Sequence, residues 1–125
     1  MAQSHHVIIA LGTNTNRQRN MDLAKLLIGR LFRDAVFSRT LLTEALDGSS
    51  EPYSNCLVSA TTHHRLQPLL RGLKHIERDC GDSRQSRSIG VVNMDVDLLL
   101  YDDTRMHEAD WERDYVKTLL QDFEA

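Results

Sequence analysis

The sequence predicts an α+β fold: a split βαββαβ antiparallel sheet with helices on one face, followed by a C-terminal helix. Three observations carry this. Apolar runs of strand length and segments of helical period follow each other in the order β-α-β-β-α-β-α. Leu66, Leu69, Leu70, Leu73, Ile76 and Cys80 recur at i, i+3, i+4, i+7 spacing. The runs 53–62 and 93–101 each divide by parity into an apolar and a more polar side, as strands do when successive side chains point to opposite faces.

The elements follow in order. His6 to Leu11 is an almost continuous apolar run, read as a central strand, and Gly12-Thr13-Asn14-Thr15-Asn16 ends it as a polar turn. Met21 to Phe32 reads as a helix, with Leu23, Leu26, Leu27 and Leu31 at helical spacing and Asn20 as its cap before Asp22. Ala35 to Ala45, rich in Val, Phe, Thr and Leu, reads as one long strand. Asp47 to Pro52 is a loop, and Tyr53 to Thr62 an alternating strand. The helix after it carries Pro68 in its first turn, where proline is tolerated, and stops at Gly81. Asp82 to Ser88 reads as a polar loop holding Arg84 and Arg87. Asn93 to Tyr101 is a strand, Asp102-Asp103 a turn, and Asp110 to Phe123 a final helix with Trp111, Tyr115, Leu119 and Phe123 at i, i+4 steps.

The first six elements match a ferredoxin-like arrangement, which leaves one sheet face free of helices. Parity then puts Cys56, Val58, Ala60, Met94, Val96, Leu98 and Leu100 under the helices. Tyr53, Asn55, Asp95 and Asp97 share the open face.

Length and charge narrow the function. With 125 residues the chain is expected to form a single domain, 1–125. A net charge of −3 gives no general attraction to nucleic acid or to an anionic membrane. No apolar run approaches the ~18 residues of a spanning helix. The first six residues have no basic segment leading into an apolar one. The expectation is a cytoplasmic protein, monomeric or a small homo-oligomer. Cys56 and Cys80 have no metal or redox spacing and read as buried thiols. The pairs His5-His6 and His63-His64 read as surface or packing residues, because neighbours in a strand or helix diverge.

Asp95 and Asp97 carry the chemistry. They lie two apart in a greasy strand, so their carboxylates share a face about 7 Å apart. Such carboxylates repel each other and resist burial. A divalent cation relieves both costs, and Mg²⁺ favours carboxylates combined with substrate phosphates. The other reading is a strand end with two solvated acids.

These residues resemble the 6-hydroxymethyl-7,8-dihydropterin pyrophosphokinase family from about Val7 to Tyr101. Leu11-Gly12-Thr13-Asn14 is similar to its first-strand turn, and Ser38 to Ala45 to its second strand and the entry to its pterin loop. Pro52-Tyr53-Ser54-Asn55-Cys56-Leu57-Val58 resembles its Tyr-x-Asn strand. Leu73-Lys74-His75-Ile76-Glu77 resembles its Ile-Glu helix, and Asn93 to Tyr101 its Asp-x-Asp signature.

The resemblance implies transfer of the two terminal phosphates of ATP, as a unit, to the hydroxymethyl group of a reduced pterin, with AMP leaving. It implies two Mg²⁺ ions held by Asp95 and Asp97. Asn55 and Tyr53 would meet the pterin, with the main chain at Thr43, Glu44 and Ala45. Glu77 and Arg84 would meet the nucleotide, Arg84 also acting on the phosphates, with Arg87 a candidate by proximity. Beside these stand plainer readings: Asn55 as a polar strand residue, Tyr53 as cross-strand packing, Glu77 as a solvated helix residue, and both arginines as solvated loop residues.

The sequence also departs from the pattern. Ile89-Gly90-Val91-Val92 stands where the family has Trp-Gly-Pro-Arg, so an aromatic lid residue and a phosphate-binding arginine are missing. Lys74 replaces a common glutamine. After Tyr101 the resemblance fades: the family continues for several dozen residues, with a His-Pro segment, arginines that hold ATP and an aromatic that closes on the pterin. Here there is no proline after Pro68. His107 therefore lies outside the motif context, and Trp111, Arg113 and Tyr115 either serve the site in new positions or pack the final helix, the second being the favoured reading. Two functional readings follow: a minimal pyrophosphokinase, or a non-catalytic relative that binds a pterin or nucleotide.

Overall fold

A computed structural model describes residues 3–46 and 51–124. The chain runs through β1 (His5–Thr13), α1 (Arg17–Leu31), β2 (Val36–Phe37), β3 (Leu41–Thr43), β4 (Tyr53–Thr62), α2 (Leu66–Asp79), α3 (Arg84–Ser88), β5 (Asp95–Tyr101), β6 (Thr104–Arg105) and α4 (Asp114–Leu120). Short 3₁₀ turns, Glu108–Glu112 and Gln121–Phe123, flank α4. Most of the expected loop 47–52 lies outside the described residues.

The six strands form one antiparallel sheet in the order β2-β4-β1-β5-β6, with β3 also paired to β4. This is the α+β architecture expected from the element order. Val7, Ile9, Leu11, Cys56, Val58, Ala60, Met94, Val96 and Leu98 form the main core against α1 and α2. Cys56 and Cys80 are both buried, free thiols.

The opposite face is not wholly open. Ile8, Ala10, Leu57 and Leu99 pack there against Trp111, Val116 and Leu119 of the C-terminal segment. Trp111 is fixed by its indole N–H, which donates to the carbonyls of Leu99 and Met106 at 3.2 and 3.0 Å. That face is thus divided into an apolar half under α4 and a polar half at the start of β5.

Five expectations need correction. Leu100 faces the α4 side, because the β1–β5 register shifts between Ile8↔Leu100 and Ile9↔Leu98. The extra residue of this β-bulge puts Leu99 and Leu100 on the same side. The long strand 35–45 is interrupted: Ser38 is buried, and its hydroxyl takes the Leu57 N–H at 2.8 Å in place of a main-chain carbonyl. Helix α1 begins a turn early, at Arg17 after a left-handed Asn16 (φ 40°), and Asn20 is buried inside it, donating to the Thr15 carbonyl. The polar stretch 82–88 contains α3, closed by a reciprocal Ser83–Ser86 capping box. The single final helix is broken at Arg113, whose extended backbone (φ −74°, ψ 138°) separates the 3₁₀ turn from α4.

Helix α2 ends as its sequence predicts. Gly81 has φ +90°, and the Asp82 and Gly81 amides close on the Glu77 and Arg78 carbonyls. This is the double closure of a Schellman cap, which needs the left-handed residue that glycine supplies most easily. It sends the chain directly toward α3 and the start of β5.

Candidate functional site

Three adjacent strands build the site in a row. Gly12 of β1 lies opposite Asn55 of β4 on one side and Asp95 of β5 on the other. Asp97 lies opposite Ala10. Glycine and alanine in the middle strand leave a trough between the flanking side chains. A Cβ on Gly12 would lie 3.6 Å from Asn55 Oδ1 and 3.7 Å from Tyr53 Cδ2. The resulting cleft of about 370 Å³ is lined by Ala45, Leu46, Tyr53, Asn55, Asp95 and Asp97, and from the C-terminal segment by Asp110, Arg113 and Tyr115.

Asn55 is buried, and its amide nitrogen is taken up by the fold. It donates to the carbonyls of Leu41 and Tyr53, at 3.2 Å each, and to Thr43 Oγ1 at 2.7 Å. Those bonds tie β3 to β4 and turn the amide oxygen toward Gly12 and the cleft. Thr43 thus acts through Asn55. Glu44 is exposed and is not among the cleft-lining residues.

The two aspartates share the cleft, as strand parity predicts. Their surroundings differ. Asp95 accepts a 2.9 Å hydrogen bond from Arg87 Nη2. For Asp97 the one basic group within ion-pair reach among the described residues is the His107 imidazole, with Nε2 3.9 Å from its Oδ1. Burial pushes the Asp97 carboxyl up to about 6; the Asp95 charge adds to the rise and His107 opposes it.

Glu77 is neither solvated nor exposed to the cleft mouth. It is buried, and its Oε2 accepts the Val96 amide hydrogen at 2.8 Å, on the side of β5 away from β1. Lys74 Nζ lies 3.3 Å from its other oxygen. Burial raises the Glu77 carboxyl, while the Val96 bond and Lys74 work against it. Carboxylate oxygens of Glu77, Asp95 and Asp97 all fall within 4.8 Å of one another. A second group, Asp97 with His107 and Asp110, is equally close.

Of the two loop arginines, the structure brings in Arg87. Its Nε donates to Asp82 Oδ2 at 2.6 Å, and its Nη2 also approaches the Met94 carbonyl (3.4 Å) and Glu77 Oε2 (3.8 Å). Burial disfavours its charge, but the bonds to Asp82 and Asp95 outweigh that and keep it cationic. Arg84, one turn earlier on α3, is exposed and makes no hydrogen bond or ion pair among the described residues. Arg87, the candidate by proximity, is thus the arginine that meets Asp95, while the role expected of Arg84 is toward phosphates and not toward these acids.

The segment leading to Asp95 is clamped rather than open. Asn14 is buried, donates to the Gly90 carbonyl and accepts the Val92 amide hydrogen, each at 2.7 Å. With the Asn14 main-chain amide hydrogen also donated to the Val92 carbonyl at 3.1 Å, these bonds tie the turn after β1 to the stretch 90–92.

The sequence favours a packing role for the C-terminal segment, and the structure brings part of it to the cleft. Trp111 packs the core as expected, but Arg113 and Tyr115 line the cleft, with Arg113 Cζ 4.5 Å from the Tyr115 ring centre. The i, i+4 spacing of Trp111 and Tyr115 suggested one helical stripe. The extended Arg113 between them breaks that stripe, and Tyr115 both packs against the cluster that holds Trp111 and lines the cleft. An acid, an arginine and an aromatic within six residues was the available signal.

A family model described as 7,8-dihydro-6-hydroxymethylpterin-pyrophosphokinase matches residues 8–125. The match runs on past Tyr101, where the sequence resemblance was expected to fade. The chain is also similar to the folate synthesis bifunctional protein of Arabidopsis thaliana, 30% identical over 131 aligned positions. That alignment takes in 93% of this chain and 26% of the relative, so the chain spans about a quarter of that protein's length.

Proposed function

The chain belongs to the 7,8-dihydro-6-hydroxymethylpterin-pyrophosphokinase family, and on that premise we propose that it transfers pyrophosphate from ATP to 6-hydroxymethyl-7,8-dihydropterin in folate biosynthesis. The supporting observation is convergence: Tyr53 and Asn55 from β4, and Asp95 and Asp97 from β5, line one cleft across Gly12.

In this reading the Asn55 amide oxygen accepts from an N–H on the pterin edge. Tyr53 and Tyr115 offer rings to the flat heterocycle, and Ala45 with Leu46 closes the far wall. The hydroxymethyl oxygen attacks the β-phosphorus in line. The bond from that phosphorus to the α,β-bridging oxygen breaks, AMP departs with the oxygen, and the hydroxyl gives up its proton. Asp95 is the carboxylate we expect nearest that hydroxyl. Arg113 lines the cleft and Arg87 reaches it through Asp95; both guanidinium groups suit phosphate oxygens.

The donor set of Glu77, Asp95 and Asp97 is all oxygen, and its carboxylates are close together and mutually repelling, which fits Mg²⁺. Two ions would be held by Asp95 and Asp97, with Glu77 in reach, and would supply charge neutralisation to the polyphosphate. We further place the protein in the cytoplasm, acting on ATP and a reduced pterin as a monomer or small homo-oligomer, with no nucleic-acid or membrane partner. No helix among the described residues is long and apolar enough to cross a membrane.

One observation favours the second reading, a relative that binds pterin or nucleotide without turnover: Arg87 already occupies Asp95. AMP release from ATP, with and without the hydroxymethyl dihydropterin, decides. Pterin-dependent AMP supports the transferase. Binding of Mg·ATP or pterin with no AMP decides for the silent relative.

A further inference from the structure

The Arg87 guanidinium stands between two carboxylates of unequal occupancy. Its Nε is bonded to Asp82 Oδ2 at 2.6 Å, and its Nη2 to Asp95 Oδ1 at 2.9 Å. The other oxygen of Asp82, Oδ1, is buried and has no hydrogen-bond partner among the described residues. Nε and Nη2 are the two nitrogens that together form a side-on fork on one carboxylate. The fork on Asp82 is therefore half made: one tooth is seated, and the acceptor for the other is empty while the two N–H groups of Nη2 are turned to Asp95 Oδ1 and, at 3.4 Å, to the Met94 carbonyl. An unpaired buried carboxylate oxygen is costly, so the fold holds a second favourable position for this guanidinium.

We propose that Arg87 and Asp82 are positioning residues that set the cation affinity of Asp95: Arg87 competes with a divalent ion for Asp95, and Asp82 receives the guanidinium when the ion displaces it. The inference rests on reading the cleft as a divalent-cation site. With no ion, the arginine neutralises Asp95 beside Asp97 and Glu77, which lowers the repulsion among the three acids. With an ion on Asp95, Nη2 moves to Asp82 Oδ1 and completes the bidentate pair. Both positions keep the charge of Arg87 paired, so the exchange strands no buried charge.

The consequence is a pair of substitutions with opposite signs. Mn²⁺ alone, titrated into nucleotide-free full-length protein and followed by its spin resonance, is the probe. Arg87→Gln removes the competitor and tightens Mn²⁺ binding by at least ~3-fold. Asp82→Asn weakens the second position, holds Arg87 on Asp95 and loosens Mn²⁺ by a similar factor. Arg87→Lys keeps the charge but not the fork, and falls between wild type and Arg87→Gln. In an Arg87→Gln background Asp82→Asn loses most of its effect, because the two act through one contact. A residue that merely supports α3 would lower affinity in every variant. Equal Mn²⁺ affinity in wild type and Arg87→Gln, with Asp97→Asn abolishing binding, would overturn the role of Arg87 while leaving the cleft a cation site. An undiminished Asp82→Asn effect in the double variant would overturn the exchange. Absence of Mn²⁺ binding in all of these proteins would end both this inference and the cation reading beneath it.

Discussion

Glu77 Oε2 accepts the amide hydrogen of Val96 at 2.8 Å, so a carboxylate on helix α2 completes the hydrogen bonding of the strand that carries Asp95 and Asp97. The Val96 amide points away from β1, and β6 pairs only as far as Leu100 and Tyr101. Without Glu77 that buried N–H would have no strand to meet. Glu77→Ala should therefore destabilise the fold by about 2–4 kcal/mol, from the orphaned amide plus the cavity. Glu77→Gln keeps an acceptor and removes a buried charge among acids, and should cost less than about 1 kcal/mol or stabilise. Urea unfolding distinguishes the two. Equal losses would mean that the charge, not the acceptor, holds β5.

Gly81 links the end of α2 to the same strand. A Cβ there would meet Asn93 Nδ2 at 2.6 Å, at a φ of +90° that L residues rarely adopt. Asn93 Nδ2 also donates to the Cys80 carbonyl at 3.2 Å. Gly81→Ala should cost about 2 kcal/mol from backbone strain and the displaced amide. It should also weaken divalent binding, because the shift enters the chain two residues before Asp95. Loss of stability with unchanged Mn²⁺ affinity would limit the effect to the helix cap.

Much of this arrangement could be read from the sequence, because period and parity are local properties. The 3.6-residue stripe of α2, the glycine stop and the common face of Asn55, Asp95 and Asp97 all follow from side-chain direction within a single element. What could not be read depends on contacts between elements. Leu100 changed sides because one extra residue in β5 is accommodated only against β1. The sequence leaves Glu77 as a nucleotide contact or a solvated helix residue and does not show its bond to Val96, because that partner is a main-chain amide 19 positions away. Arg87 and Arg84 are indistinguishable in sequence; only the direction of α3 decides which meets Asp95.

Asp97 makes stability and function pull in opposite directions. Its folded carboxyl titrates at about 6, above the ordinary value of 3.8, with burial the main cause. The folded state therefore binds a proton that the unfolded state has released between those values. The stabilisation is complete below about 3.8 and is lost as pH rises through about 6. Metal-free protein should thus lose on the order of 1–2 kcal/mol across that window, and Asp97→Asn should remove the loss and be the more stable protein at pH 7 and above. Mn²⁺ affinity should run the other way, falling as pH drops below about 6 because a ligand must be deprotonated to bind. The same substitution should cut turnover by at least ~10²-fold where metal positioning limits the rate. Melting curves from pH 4 to 8 and matched Mn²⁺ titrations check both signs. An Asp97→Asn protein as fast as wild type would remove the metal role.

Asn55 offers the sharpest separation between scaffold and ligand. Its amide nitrogen makes three bonds to β3 and β4, while its oxygen faces the trough beside Gly12. Asn55→Asp is nearly isosteric but cannot donate, and it sets a carboxylate against the Leu41 and Tyr53 carbonyls. It should cost about 2–4 kcal/mol, since buried acceptors would face a buried charge. Thr43→Val removes only the 2.7 Å bond from Asn55 to the hydroxyl and should cost about 1 kcal/mol. In the proposed function the amide oxygen remains in place in Thr43→Val, so pterin affinity should fall by no more than ~3-fold, whereas Asn55→Ala should lose it by at least ~30-fold. Denaturation and pterin binding measured on the same preparations supply the comparison. Pterin affinity retained in Asn55→Ala would leave Asn55 a structural residue and shift recognition to the tyrosines.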